Sequence, residues 1–341
     1  MVDYKSQPEA RLGRLVVIGL GLIGGSFAKG MRELGLFDKV VGVDLDADSR
    51  RRAVELGVVD RCETDLALAC QGAALIQLAV PILSMEKLLE QLSQLDLGQA
   101  VLTDVGSAKG SILRAAERCL PQYLPRFVPG HPIAGSEQSG VEAADGTLFC
   151  RHKVILTPHA SQDPAALALV DRLWRALDAD VEHMQVEHHD EVLAATSHLP
   201  HLLAFGLVDS LARRHENLEI FRYAAGGFRD FTRIAGSDPL MWHDIFLANR
   251  DAVLRILDDF RGDLDVLRNA VDSGDGHHLL GVFTRARVAR EHFSTILARR
   301  AYVDAMHDNN DLIFLAQPGG SLSGRIRVPG DKSISHRSIM L

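Results

Sequence analysis

Arg14-Leu15-Val16-Val17-Ile18-Gly19-Leu20-Gly21-Leu22-Ile23-Gly24 is the stretch that decides how this chain folds. Its first half is a short apolar run of strand type, and its second half reads G-x-G-x-x-G. Beyond it the apolar positions change period: Ile23, Phe27, Met31 and Leu34 recur every three or four residues, which marks a helix with one buried stripe. Strand turns into helix across the glycines. In such a turn Gly19 permits the tight bend, Gly21 lets backbone approach a pyrophosphate, and Gly24 lets helix pack on strand. The helix N-terminus adds free amides and partial positive charge for phosphate.

A second strand, Lys39 to Val43, ends in Asp44, 20 residues after Gly24. An acidic group there binds a ribose 2′-hydroxyl and repels the extra phosphate of NADP, so NAD is the expected cofactor. The expected cofactor-binding residues are Gly19, Leu20, Gly21, Leu22, Ile23, Gly24 and Asp44, joined by Val80 and Pro81 at the end of the fourth strand. Arg50, Arg51 and Arg52 could instead bind that phosphate; a charge run is usually a solvated face, and they are read as one.

Outward from this unit the alternation continues. Ala47 to Leu56 reads as a helix, and strand-like runs follow at Ala73–Val80, Ala100–Thr103, Arg126–Val128, Lys153–Thr157 and Asp180–Met184, with a helix from about Pro164 to Leu177. Strands alternating with helices predict an α/β fold with a Rossmann-type, doubly wound parallel sheet over residues 1–185. From Val186 to Met306 the pattern is helical, with a strong helix start at Ser237-Asp238-Pro239. Val253, Leu257, Phe260, Leu264, Leu267 and Val271 form a seam spaced by fours and threes. Such a seam usually faces another helix, so residues 186–306 are expected to be an all-helical substrate and dimerisation domain in a homodimer.

Composition narrows the class. A chain of 341 residues, 47% hydrophobic, can fill two cores. Its net charge of −8, with both signs interspersed, offers no basic stripe for nucleic acid. Four scattered cysteines suggest neither disulfides nor a zinc knuckle, and fit a reducing cytoplasm. The polar N-terminus lacks a signal-peptide core, and no apolar run approaches the roughly 20 residues that span a bilayer. His183, His188, His189, His198 and His201 crowd one region, but no HExxH occurs. Glu187 and Asp190 beside His188-His189 suggest a polar helix surface, so no metal is expected.

Open α/β sheets bind ligands at the carboxyl ends of their strands. On that rim lie Asp104-Val105-Gly106-Ser107 and Gly130-His131-Pro132-Ile133-Ala134-Gly135-Ser136-Glu137. His131 is placed to take a hydroxyl proton while the same carbon gives hydride to nicotinamide, and an imidazole suits that task near neutrality. Position alone leaves a hydrogen-bonded loop histidine as an equal reading. Ser107 reads equally as a helix N-cap, and Lys109 as an ordinary helix-start residue.

The runs Asp104-Val105-Gly106-Ser107-Ala108-Lys109, Gly130 to Gly140 and Gly227-Phe228-Arg229-Asp230-Phe231-Thr232-Arg233-Ile234-Ala235 resemble the signatures of prephenate and arogenate (cyclohexadienyl) dehydrogenases, in consistent order over about Arg14 to Met306. The resemblance implies NAD-dependent oxidative decarboxylation of prephenate to 4-hydroxyphenylpyruvate, of arogenate to tyrosine, or both, in tyrosine biosynthesis. It implies that His131 binds the substrate hydroxyl with help from Ser107, and that Arg233 grips a carboxylate. Arginine suits that task because its planar fork matches a carboxylate bidentately. Ser136, Glu137, Ser197, His201 and Trp242 would line the substrate; Ser197 and His201, four apart, share a helix face, and Pro200 is expected to kink that helix. Trp242 as core and His201 as a satisfied helix histidine remain open. A β-hydroxyacid-type Rossmann dehydrogenase is the alternative; those generally use a catalytic lysine from the helical part, and residues 186–306 contain none.

After a linker at 307–322, Gly324-Arg325-Ile326-Arg327-Val328-Pro329-Gly330-Asp331-Lys332-Ser333 and Arg337 resemble the opening of 5-enolpyruvylshikimate-3-phosphate synthase. Residues 323–341 are read as the truncated start of that second enzyme, in a natural fusion, with Lys332, Ser333 and Arg337 inert here.

Overall fold

The structure, a computed structural model, describes residues 11–135, 138–214 and 222–307. Its first strands and helices are β1 (Leu12–Ile18), α1 (Leu22–Glu33), β2 (Phe37–Val43), α2 (Ala47–Glu55), β3 (Arg61–Glu63) and α3 (Leu66–Cys70). There follow β4 (Ala73–Leu78), α4 (Met85–Ser93), β5 (Val101–Asp104), α5 (Lys109–Cys119) and β6 (Phe127–Val128). The strands form one parallel sheet in the order β3-β2-β1-β4-β5-β6. Strand order reverses between β1 and β4, and that reversal opens a crevice at their carboxyl ends.

Both faces of the sheet are covered, which is why its strands are continuously apolar rather than alternating. Leu15, Val17 and Leu75 point to the side packed by Phe27, Met31 and Trp174. Val16, Ile18, Ile76, Leu78 and Leu102 point to the other, against Leu88, Leu89, Ile112 and Ala116. Strand β3 escapes sequence reading because three residues are too few to show a period.

One expectation needs refining. Lys153–Leu156 (β8) and Asp180–His183 (β9) do not extend the parallel sheet; with β7 (Gly130–Pro132) they make a separate three-stranded sheet, antiparallel between β7 and β8. Pro129 ends β6 because it has no N–H to continue the ladder. Its carbonyl instead accepts from Thr157 N at 3.0 Å, handing the chain to the second sheet. Helix α6 (Pro164–Ala176) joins β8 to β9.

From Val186 onward the described residues are helical. Helix α7 (Val186–Leu193) runs through a π-turn (Ala194–His198) into α8 (Leu199–Ala212), followed by α9 (Gly226–Thr232), a tight turn Arg233–Gly236 and α10 (Pro239–Ala248). Then come α11 (Arg250–Asp272) and α12 (Gly276–His307). The expected start at Ser237-Asp238-Pro239 forms: Asp238 caps α10 by accepting from Leu240 N at 2.8 Å, with Pro239 in the first turn. Of the expected seam, Val253 is buried within the chain while Leu264 and Val271 are exposed. The chain divides into compact units at 1–263 and 264–341.

Among the described residues one helix, Val186–Ala212, is long and apolar enough to cross a membrane by length and composition alone. Its most apolar 18-residue window has a mean hydropathy of 1.2, and 28% of that window is buried. The buried face carries His189 and His198 into the site described below, which ties this helix to the protein interior rather than to lipid.

Candidate active site

The glycine loop lies at the crevice. Gly19 has φ +97°, and a Cβ there would sit 2.3 Å from Ala79 O, so the bend is available only to glycine. Gly21 faces open space on the side where a Cβ would point, which leaves room for a pyrophosphate. No side chain caps the N-terminus of α1, so its amides are free. Asp44 accepts from Leu20 N through Oδ2 at 2.7 Å and from Asp46 N through Oδ1 at 2.9 Å. Each oxygen keeps a further lone pair for a ribose hydroxyl. Val80 packs beside this loop against the core, and Pro81 opens the turn at Ile82–Ser84. Together these residues fit a dinucleotide.

Arg51 and Arg52 form a solvated face, paired with Asp48, Glu55 and Glu142. Arg50 departs from that reading: its Nη1 donates to the carbonyls of Asp44 and Leu45 at 2.8 and 2.9 Å, bracing the turn that presents Asp44.

A Cβ on Gly24 would come within 2.0 Å of Gly19 O and 2.8 Å of Ala79 Cβ. Helix α1 would have to lift off the sheet. Gly24→Ala is expected to destabilise the protein by about 3 kcal/mol, the upper range for overpacking, against which the helical preference for alanine returns about 1 kcal/mol. Thermal melting and NAD titration check this; an unchanged melt with intact NAD affinity would contradict the packing role.

His131 sits on β7, buried, and its Nδ1 lies 2.9 Å from His189 Nε2. His189 Nδ1 lies 2.9 Å from Asp190 Oδ1. Asp190 also accepts from Lys109 N and Gly110 N, each at 2.8 Å, and so caps α5 from another helix. This corrects the N-cap reading of Ser107: the cap position is Ala108, and Asp190 serves the free amides. Ser107 lies half-buried on the turn between β5 and α5; it is His189 that holds His131 Nδ1.

Lys109 is not an ordinary helix-start residue. It is fully buried and ion-paired with buried Asp104, and its Nζ donates to Gly130 O at 2.6 Å. Asp104 also accepts from Gly106 N at 2.8 Å and Gly130 N at 3.3 Å. Gly130 permits this approach because a Cβ there would meet Asp104 O at 3.1 Å. The strand bearing His131 is thereby fastened to the end of β5. Burial pushes the Lys109 ammonium below its ordinary pKa, with Asp104 opposing that shift. Burial first, then His189, Lys109 and His198, hold the His131 imidazole well below its usual 6.5. It is therefore neutral at pH 7, the form a base requires.

A second cluster continues from the first. Asn249 Nδ2 donates to the Asp190 carbonyl at 2.8 Å and lies 3.2 Å from His198 Nδ1. Burial pushes His198 down to about 4. Trp242 is buried, edge-on to His198 and stacked on His201 at 3.6 Å between centroids. Its Nε1 is buried without a hydrogen-bond partner among the described residues, leaving a donor for an incoming acceptor. His201 Nδ1 meets the Ser197 carbonyl at 2.9 Å. Burial lowers the His201 pKa, and Arg233, in the turn after α9, adds to the lowering, which places its charge beside this pair. A π-turn at Ala194–His198 breaks the α7–α8 register just before Pro200, which has no N–H to give to the preceding turn of this continuous helix.

Contacts thus lead from His131 through His189, Asp190, Asn249, His198 and Trp242 to His201, whose titration feels the charge of Arg233. Ser136 and Glu137 lie outside the described residues. The sequence reading assigned His189 and Asp190 to a polar surface; His189 is in fact fully buried, and of that run only Glu187 and His188 are exposed. His183 is held by Asp171 at 2.9 Å. The signal for Lys109 and Asp104 was their place at the end of a central strand, where an isolated charge needs a buried opposite.

Known proteins resemble this chain in sequence and fold. Residues 27–183 match the family model of the prephenate dehydrogenase nucleotide-binding domain, and residues 185–285 that of the prephenate dehydrogenase dimerization domain. The cyclohexadienyl dehydrogenase of Zymomonas mobilis is 38% identical over 284 residues, 81% of this chain and 94% of that protein. The crystal structure of Aquifex aeolicus prephenate dehydrogenase with hydroxyphenyl propionate and NAD+ superposes with a TM-score of 0.78 at 37% identity, over 84% of this chain and 99% of that one. Synechocystis arogenate dehydrogenase gives 0.71 at 30% identity, over 82% and 99%. The tail is similar to something else: 33 residues, 10% of this chain, are 73% identical to 3-phosphoshikimate 1-carboxyvinyltransferase of Hydrogenovibrio crunogenus, covering 7% of that enzyme. With a glycine loop on a six-stranded sheet, a buried imidazole at the crevice and relatives matched over most of its length, this chain belongs to the prephenate dehydrogenase family.

Proposed function

We propose that this chain carries out the NAD-dependent oxidative decarboxylation of prephenate, arogenate or both, with His131 as base and Arg233 as carboxylate clamp. The carrying observation is a buried His131 just past the carboxyl ends of the parallel sheet, backed by His189 and Asp190. NAD, when bound by Gly19 to Gly24, Asp44, Val80 and Pro81, supplies the hydride acceptor. Aromatisation of the ring drives the reaction, so the protein has mainly to orient, polarise and deprotonate. His131 accepts the hydroxyl proton, and Ser107, on the turn between β5 and α5, assists it. Arg233 grips a carboxylate, and Ser136, Glu137, Ser197, His201 and Trp242 line the rest, the orphan Trp242 Nε1 offering a hydrogen bond.

Residues 1–185 hold the cofactor in this reading, and 186–306 cover the substrate and form a homodimer. Exposed Leu207, Leu254 and Leu264 and the match to a dimerization domain support the dimer. The scattered cysteines, with no CxxC pair, support a reducing cytoplasm as the setting. Residues 307–322 are a linker, and 323–341 the start of a second, fused enzyme; Lys332, Ser333 and Arg337, with everything from 308 on, lie outside the described residues. The β-hydroxyacid alternative lacks its lysine, and Lys109 is locked on Asp104.

Steady-state NADH formation with prephenate or arogenate and with NAD or NADP tests the reading; turnover of neither substrate would sink it. Arg233→Ala is expected to raise KM for substrate about 10²-fold, as losing a charge-assisted pair of about 3 kcal/mol implies, with kcat changed far less. An unchanged KM would remove Arg233 from the site.

A further inference from the structure

Deprotonating the substrate places a proton where the protein is least able to keep one. His131 is only 9% exposed and has the Lys109 ammonium among its neighbours, so an imidazolium formed there is poorly solvated. Behind it the groups are ordered in one sense. Asp190 can only accept, so His189 Nδ1 carries the proton of their hydrogen bond. His189 Nε2 is then a lone pair, and His131 Nδ1, 2.9 Å away, must donate to it. That leaves His131 Nε2 unprotonated and free to receive a hydroxyl proton. Asp190 is itself fixed by the amides of Lys109 and Gly110, and its carbonyl by Asn249. The charged and titratable groups around the pair are therefore Asp190 on α7, Lys109 on α5, Asp104 on β5 and His198 in the π-turn.

We propose that His189 and Asp190 are positioning residues behind His131, fixing its tautomer and holding the substrate proton until the product needs it back. The proposal rests on the dehydrogenase reading above. As the substrate O–H bond breaks, an Nε2–H bond forms on His131. The His131 Nδ1–H bond breaks as an Nε2–H bond forms on His189, and the positive charge comes to rest against the Asp190 carboxylate. At the reacting carbon the C–H electron pair leaves as hydride to the nicotinamide, and the former O–H pair completes a carbonyl. The ring carboxylate then departs as CO2, its C–C pair aromatises the ring, and the resulting phenolate oxygen recovers the proton as the two transfers reverse. The protein ends as it began, which suits a site with no need to release a proton to solvent.

The test begins with 15N NMR of histidine-labelled wild-type protein, the His131 signals being assigned by their loss in His131→Asn. The expected result is a neutral His131 with its proton on Nδ1; a proton on Nε2 overturns the proposal, whatever the variants do. His189→Leu is expected to lower kcat about 10²-fold, in the usual range for proton-transfer assistance, with KM and NAD affinity within about threefold and the His131 tautomer no longer fixed. His189→Gln, whose Oε1 can accept from Nδ1 but cannot take up a proton, should restore the tautomer and only part of kcat. Wild-type kcat in His189→Leu also overturns the proposal. Should His189→Leu fail to fold, the wild-type spectrum still decides. A wild-type protein that turns over neither substrate would refute the dehydrogenase reading while leaving the tautomer result standing.

Discussion

Replacing His131 by asparagine should lower kcat about 10³-fold, equivalent to about 4 kcal/mol on the barrier, while NAD affinity and melting temperature stay close to wild type. Asparagine keeps a group near the His131 Nδ1 position that can still meet His189 Nε2, so the buried network loses little. What disappears is the lone pair at Nε2. Stopped-flow NADH formation and NAD titration separate the two effects, and a variant with kcat within tenfold of wild type would remove His131 from the chemistry.

The same imidazole sets a pH dependence. Its pKa lies below 6.5, so the base form is present above that lowered value and kcat/KM falls only as pH drops through it. An acid limb at or above 6.5 would contradict the burial. Stability follows the same sign. His131, His189 and His198 are all lowered, His198 to about 4. Between 6.5 and the lowered values the unfolded chain binds more protons than the folded one, so their neutral burial is fully tolerated above about 6.5 and erodes stability as pH falls towards 4. Urea midpoints measured from pH 7 to pH 5 should decline.

Lys109→Met should destabilise the fold by about 3–5 kcal/mol, because it leaves the Asp104 carboxylate buried without its cation. For a domain of this size that corresponds to a melting shift of roughly 10 °C. Both side chains are 0% exposed, so solvent cannot screen the loss. Asp104 also holds Gly106 and Gly130, so the strand carrying His131 should loosen and kcat fall with stability. Adding Asp104→Leu should recover part of the stability, since removing both charges costs less than orphaning one, but not the bonds to the two glycine amides. Denaturant melts of the two singles and the double complete the cycle; a Lys109→Met loss under 1 kcal/mol would mean the pair contributes little.

Much of this was legible in the sequence for local reasons. The glycine loop, its strand and its helix are neighbours along the chain, so spacing alone places Gly19, Gly24 and Asp44. Asp238 and Pro239 announce α10 because a cap acts within one turn. The separate β7–β9 sheet was hidden, since its strands look like any others and only the proline after β6 redirects the pairing. Arg50 looked like its neighbours Arg51 and Arg52, and only the carbonyls that it meets set it apart.

The sequence by itself determined that residues 14–44 form a dinucleotide-binding unit and that His131 stands on its rim, because period, glycine conformational freedom and strand ends are local properties. Only the tertiary structure decided which nitrogen of His131 is held inside the protein. That depends on His189 and Asp190, 58 and 59 positions further along, buried by the packing of α7 on α5. A lone histidine and an acidic helix run carry no mark of their pairing. Burial, which sets both tautomer and pKa, is a property of the folded whole.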